Sequence, residues 1–390
     1  MIKDTSGFSI IELMVAMIVF LFAIAATSQV FVPMLTQFKQ QSTISETQME
    51  SIVGLEVLRR DVESAGYGLP WVIPPDVTTG TYAEAAAATT APIPAPSTYN
   101  DAPNPPRAVL SGDNAGLIGT DYLVVKAMSV ALNDTSVKWT HVIGQGGGVS
   151  EVGKRPSPQD DLVANDRTIV MIPSRGGANE RILVSNGVGV YTVQFSDPFD
   201  NTYSPATEGD KYLVYGVADD TAATLRMPFN RADYYIRDLA RAAVMPKRCA
   251  ANTGLLMKSV INHADGTRTG SSFPLLDCVA DFQVTYFLDT DEDGDVDWPP
   301  SDDISGMTAE DIRNQVMEIR VYIVSHEGRK DATNDFSLGG ARTNLSTAEV
   351  FGSNSRTLNF ADLKVLVGDP DYKYYRWKLY TLVVRTKNMR

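Results

Sequence analysis

The chain has 390 residues, 44% of them hydrophobic and 21% charged, with a net charge of −13. That length allows two or three domains and a sizeable buried core. The acidic surplus argues against a nucleic-acid binder, which needs basic surface to neutralise phosphates, and against a peripheral anchor on anionic lipid. No basic, aromatic-interleaved stripe runs along the sequence.

Met1 to Gly7 is a short polar leader with one lysine, Lys3. From Leu13 to Ala26 there is no polar side chain, and Glu12 is the only charge in the apolar run. Counted over residues 8–32, the run is long enough to cross the roughly 30 Å hydrocarbon core as a helix. A secretory signal has its small-residue cleavage site after the apolar region. Here Gly7 stands before it, so a cut there removes only the leader and leaves the helix on the mature chain. An acid at the centre of a membrane helix costs about 2.5–3.5 kcal/mol and calls for a partner. Cutting after Gly7 creates one, the α-amino group of Phe8, one turn from Glu12. Between staggered helices, the amine of one copy can meet the carboxylate of another in the apolar layer. The alternative is an ordinary signal anchor, with Glu12 snorkelling from its cytoplasmic end.

Gly7-Phe8-Ser9-Ile10-Ile11-Glu12-Leu13-Met14-Val15-Ala16 resembles the class III signal of type IV pilins and type II secretion pseudopilins. The resemblance implies cleavage between Gly7 and Phe8 by prepilin peptidase, N-methylation of Phe8, and pairing of Glu12 with a neighbouring subunit's amine. It also implies a single-pass inner-membrane protein, head outside the cytoplasm, that is drawn into a filament of sibling pilins.

Beyond the apolar run, Pro33 can kink the helix. Phe31, Met34, Leu35 and Phe38, then Ile52, Leu55, Leu58, Val62 and Ala65, recur at the three-four spacing of an amphipathic helix over residues 33–66. Gly66, Gly68 and Pro70 end it. From Phe8 to Ala65 such a helix is about 87 Å long. Its end, with Asp61 followed by Ala65-Gly66-Tyr67, resembles PilW-type minor pilins, as does the closing strand from Tyr375 to Asn388.

Residues 71–107 shift to Pro, Ala and Thr, which predicts a mobile loop or insertion too poor in apolar residues to pack. Residues 108–390 read as β-rich. Short β-branched and aromatic runs cover Asp121–Ala131, Lys138–Ile143, Thr168–Ile172, Arg181–Val184, Val190–Phe195 and Lys211–Val217. The series continues through Ala232–Arg237, Gly254–Asn262, Val279–Leu288, Val316–Ser325 and Tyr375–Thr386. No second long helix and no strand–helix alternation appears, which argues against a doubly wound parallel sheet. The expected fold is α+β: a type IV pilin-like long N-terminal helix packed on an enlarged antiparallel head, with two lobes at about 108–224 and 225–390.

Cys249 and Cys278 are the only cysteines. Outside the cytoplasm they are expected to pair, closing a loop worth about 3–4 kcal/mol; two unrelated buried thiols are the alternative. Asp289, Asp291, Asp293, Gly294, Asp295 and Asp297 resemble the first half of a calcium loop, oxygen ligands alternating ahead of a turn glycine. The twelfth position, where a bidentate Glu belongs, is Pro300. An acidic, solvated hairpin turn is the alternative. Gly144-Gln145-Gly146-Gly147-Gly148 lacks the Lys-Ser/Thr of a phosphate loop. His141, His263 and His326 show no metal-ligand spacing, and neither cysteine has a nucleophile signature. The expectation is therefore a structural protein and not an enzyme: a PilW-like minor pilin contacting other minor pilins or a tip adhesin. A type II secretion pseudopilin and a membrane-tethered binding module are the alternatives.

Overall fold

The computed structural model describes residues 7, 9–87, 93–146, 149–164, 166–174, 180–218, 225–237, 246–268, 272–337, 360–368 and 370–389. The first helix, α1, runs unbroken over Ile10–Glu63, 54 residues. It starts where a capping box satisfies the first free amides: the Ser9 hydroxyl accepts from Ile11 N, and Glu12 Oε2 accepts from Ser9 N at 3.0 Å. It stops at Ser64, after which Gly66 adopts φ +85, its N–H donating to the Lys126 carbonyl at 3.0 Å. That left-handed turn, cheap only for glycine, swings the chain from the helix onto the sheet.

The strands, in chain order, are β1 (Val109–Gly112), β2 (Tyr122–Ala127), β3 (Trp139–Gly144), β4 (Ser150–Val152), β5 (Arg167–Ile172) and β6 (Ile182–Leu183). Then come β7 (Thr192–Gln194), β8 (Lys211–Ala218), β9 (Asn230–Arg237), β10 (Gly254–Val260), β11 (Ser272–Leu288), β12 (Val316–Glu327) and β13 (Arg376–Arg385). Two short α-helices, α2 (Ala309–Gln315) and α3 (Phe360–Val367), and several single-turn 3-10 helices accompany the strands. The main sheet has seven antiparallel strands in the order β1-β2-β9-β10-β11-β12-β13. The second sheet has six, β4-β3-β8-β5-β6 with β7 on β5. The α+β architecture with an antiparallel head is therefore the observed one.

The expected lobes at 108–224 and 225–390 need correction. β1 and β2 join β9–β13 in the main sheet, and the whole second sheet is inserted between β2 and β9. One core spans both sheets, with Ile169, Met171 and Val217 packed alongside Val125, Phe282 and Val321. Strand patterning marks which residues extend but not which edges pair, so an insertion looks like a leading lobe.

Residues 71–107 are corrected as well. Val77, Tyr82, Ala85 and Tyr99 are buried, with Tyr82 fully so. Matched ions hold the segment in place. The Lys126 ammonium lies 2.6 Å from both Glu84 and Asp101, and Arg231 lies 3.1 Å from Glu84 and 2.8 Å from Asp233. Arg107 adds a contact to Asp101 at 2.6 Å, so three cations meet three anions and the cluster is neutral. Composition misses such packing because a few aromatics and a balanced charge set suffice to hold a segment poor in aliphatic residues.

The two halves of α1 live in different surroundings. Leu55, Leu58, Val62 and Ala65 are buried against the main sheet, as the spacing predicts. Ile52 is not: it is 66% exposed, beside exposed Met49 and Val53. Gly54 lies where helix and strand touch; a Cβ there would stand 1.8 Å from the Leu275 carbonyl oxygen of β11. Backbone cannot yield as a side chain does, so Gly54→Leu is expected to cost at least about 1–3 kcal/mol. Urea denaturation of the detergent-solubilised chain checks it, with Val53→Leu, on the exposed face, staying near wild type.

Candidate functional site

The sequence singles out the N-terminal stem, the cysteine pair and the aspartate loop. Along the stem, Ile10–Phe31 has a mean hydropathy of 2.6 and its apolar stretch is not buried. It is long and apolar enough to cross a membrane. Nothing in the described chain covers it, so its apolar surface requires lipid or other helices. Gly7 is exposed, with open space where a Cβ would stand. Phe8, the expected methylation site, lies outside the described residues. Glu12 has a role that sequence reasoning missed, the reciprocal half of the capping box. Its signal was Ser9-x-x-Glu12 just before an apolar run. The box uses one Glu12 oxygen, which accepts from the Ser9 amide.

Past the stem, polar clamps tie α1 to the head, among them those at Gln48, Glu50 and Asp61. Gln48 donates to Glu327 at 3.0 Å, and Lys378 and Tyr380 reach the same carboxylate at 3.0 and 2.8 Å. Burial works against the Glu327 charge, but these three donors hold its carboxyl below the usual range. Arg248 bridges Glu50 of α1, at 2.9 Å, and Asp277 of β11. Deepest is Asp61, which meets Lys258 of β10 at 2.5 Å and accepts from the Tyr234 hydroxyl of β9. Burial pushes the Asp61 carboxyl up, and Lys258 and Tyr234 offset only part of this. Removing one partner strands the other charge, so Asp61→Ala is expected to destabilise the head by about 3–5 kcal/mol. Thermal melts of Asp61→Ala and of the Asp61→Ala/Lys258→Met pair check this, the double variant recovering much of the loss.

Cys249 and Cys278 form a disulfide, their Cα atoms 4.9 Å apart. It sits between the residues of the second clamp, since Arg248 and Asp277 directly precede the two cysteines. His326 is buried beside it, its Nε2 accepting from Ala250 N at 2.8 Å. Desolvation, with Arg248 nearby, pushes the His326 imidazole down to about 3, and desolvation pushes His263 down to about 4. Unfolded, both return to the ordinary histidine range, near 6.5. The unfolded chain then binds protons that the folded chain refuses, so stability is complete above pH 6.5 and falls as pH drops toward 4 and 3. His326→Gln is expected to flatten this fall by about 1.4 kcal/mol per pH unit, one proton's worth; urea titrations across that window measure it.

In the aspartate loop, Asp289, Asp291 and Asp293 bring one oxygen each within 4.8 Å of one another. Asp289 is buried and accepts from the amides of Asp293 and Gly294, both at 3.0 Å. Asp297 is turned away, accepting from the Thr290 amide at 2.7 Å and from its hydroxyl. Of the five aspartates predicted to act together, the fold gathers three, and a hard cation takes six to eight oxygens. The loop folds back on the end of β11, with Asp297 N donating to the Leu288 carbonyl at 2.7 Å and an antiparallel bridge between Tyr286 and Ser301.

The N-terminus whose geometry is described above matches the family model for a prokaryotic N-terminal methylation motif, over residues 2–28. With the long apolar stem and the antiparallel head that follow it, this N-terminus is similar to that of a type IV prepilin, the kind a peptidase processes. No curated protein and no solved structure matches the chain.

Proposed function

We propose that the protein is a structural minor pilin, PilW-like, of a type IV pilus. Prepilin peptidase removes Met1 to Gly7, Phe8 is methylated, and the stem holds the chain in the inner membrane with its head outside. The subunit then enters the filament, priming assembly or forming the tip, where its head meets other minor pilins or an adhesin. The observation that supports this reading is the uncovered apolar helix Ile10–Phe31, continuous with a half that is clamped to a folded head. Such a helix moves between lipid and a bundle of like helices without changing the surface it presents. Glu12 caps its own helix with one oxygen, and on this reading its carboxylate also meets a neighbour's amine.

A pseudopilin of a type II secretion system shares every N-terminal feature and is the second reading. A tethered binding module differs from both, since it never leaves the membrane. Mass spectrometry of sheared filaments decides: the expected species begins at Phe8 and carries an added methyl group. Glu12→Ala should still be cleaved yet fall at least about tenfold in the filament fraction, as the loss of a desolvated charge pair demands. A mature chain that keeps residues 1–7, or a Glu12→Ala chain as abundant in filaments as wild type, overturns the reading.

A further inference from the structure

The exposed face of α1 carries a pattern that the head does not use. Leu35, Phe38, Ser42, Ser45, Met49 and Ile52 follow one another at alternating spacings of three and four within one unbroken helix. All six are exposed, Phe38 at 68%, Met49 at 62% and Ile52 at 66%. Toward the membrane, Phe31, Ser28 and Ile24 continue the same spacing into the stem. The repeat is a strict seven with apolar or small residues at both seam places, the pattern that winds two helices into a left-handed coiled coil.

The pattern is selective. Between Thr36 and Ile52 the apolar residues are Phe38, Ile44, Met49 and Ile52. Three of them lie on the seam, and Ile44 faces the head at Gly328, where an added Cβ would stand 2.9 Å from its side chain. The opposite face of α1, with Thr47, Ser51, Leu55 and Leu58, is buried. The seam therefore points away from the sheet. It ends where charge begins: Glu56 and Arg59, next in the series, bind each other at 2.6 and 2.8 Å.

Such a seam is complementary to itself, because in a parallel, level pair each seam residue meets its own twin. Ser42 and Ser45 are small enough to let the two backbones approach at the middle. The flanks agree with this pairing. Across it Met34 faces Lys39, Gln41 faces Glu46 and Gln48 faces Val53, so no like charges meet. The stem sets the direction, since two copies whose Ile10–Phe31 helices cross one membrane run parallel with their seams at one height. So short a seam is marginal in free solution, and confinement to one bilayer raises the effective concentration of the second helix.

We propose that the Leu35–Ile52 face pairs two copies of this chain as a parallel helix dimer in the membrane, with the heads outermost. The pairing rests on the membrane-spanning stem of the reading above but not on filament entry. Staggered assembly through Glu12 sets copies at different heights, whereas the seam sets them level.

The chain has no free cysteine, its two being joined to each other, so an introduced thiol reports only its own position. The test places Ser42→Cys, Ser45→Cys and Gln37→Cys, one at a time, in the full chain in phosphatidylcholine vesicles under mild copper-catalysed oxidation. Gln37 is exposed on the same helix but off the seam. Ser42→Cys and Ser45→Cys are expected to form a disulfide-linked dimer at least about tenfold faster than Gln37→Cys. Adding Ile52→Lys to Ser45→Cys should lower the dimer yield about tenfold, as like charges meet across the seam. Its melting temperature in detergent should stay near wild type, because Ile52 lies outside the core. Equal cross-linking at Gln37→Cys, or an undiminished dimer with Ile52→Lys, overturns the pairing. So does a chain that floats with the vesicles yet stays monomeric at both serine positions, which leaves the face to a helix of a different protein. A chain that does not float with the vesicles overturns the membrane stem as well.

Discussion

A single helix here has to satisfy two surroundings, and the rest of the structure depends on how its lower half is held. Leu55, Leu58 and Val62 bury an apolar stripe against the main sheet, and Asp61 enters the same interface as a charge. The Asp61–Lys258 contact is costly to desolvate and so contributes little net stability. What it contributes is register: a helix sliding by one turn would leave two buried charges unpaired. Gly54 adds a steric stop where α1 crosses β11. With the lower half so pinned, the upper half projects as an unsupported apolar rod, and the disposition of the head around it is set.

The head repeats this pattern of matched buried charge. Its main sheet accepts a whole second sheet between β2 and β9 without breaking the antiparallel order. The segment that leads from stem to sheet carries Glu84 and Asp101 into the interior, where Lys126 and Arg231 meet them. Buried cations with matched anions thus recur in this fold, at Asp61–Lys258 and around Glu84 and Asp101. Against that background, Arg181 and Arg313 differ in packing on the ring of Trp71.

The elements most legible in sequence were those dictated by local chemistry. The stem shows as an uninterrupted apolar run, the helix end as Gly66 and Gly68, and most strands as β-branched alternation. The cysteine pairing was legible because only two are present and the export-type N-terminus implies an oxidising setting. The capping role of Glu12 was legible and missed, because a lone acid in an apolar run draws attention to distant partners before near ones. Ile52 fits the helical spacing yet stays exposed, since the face it shares with Met49 and Val53 is left uncovered by the sheet. The packing of residues 71–107 was illegible: Tyr82, Glu84 and Asp101 find their places only against β2 and β9.

By itself, then, the sequence determined a membrane-length helix with one acid near its start, a methylation-type N-terminus, and a chain of strands. These are properties of short windows, governed by hydration, propensity and turn stereochemistry. Only the tertiary structure decided that β1 and β2 belong with β9 to β13, that three of five loop aspartates converge, and that Trp71, Arg181 and Arg313 stack. Apart from the aspartate loop, those juxtapositions join residues about a hundred or more positions apart, and edge pairing and charge matching across such distances leave no periodic trace along the chain.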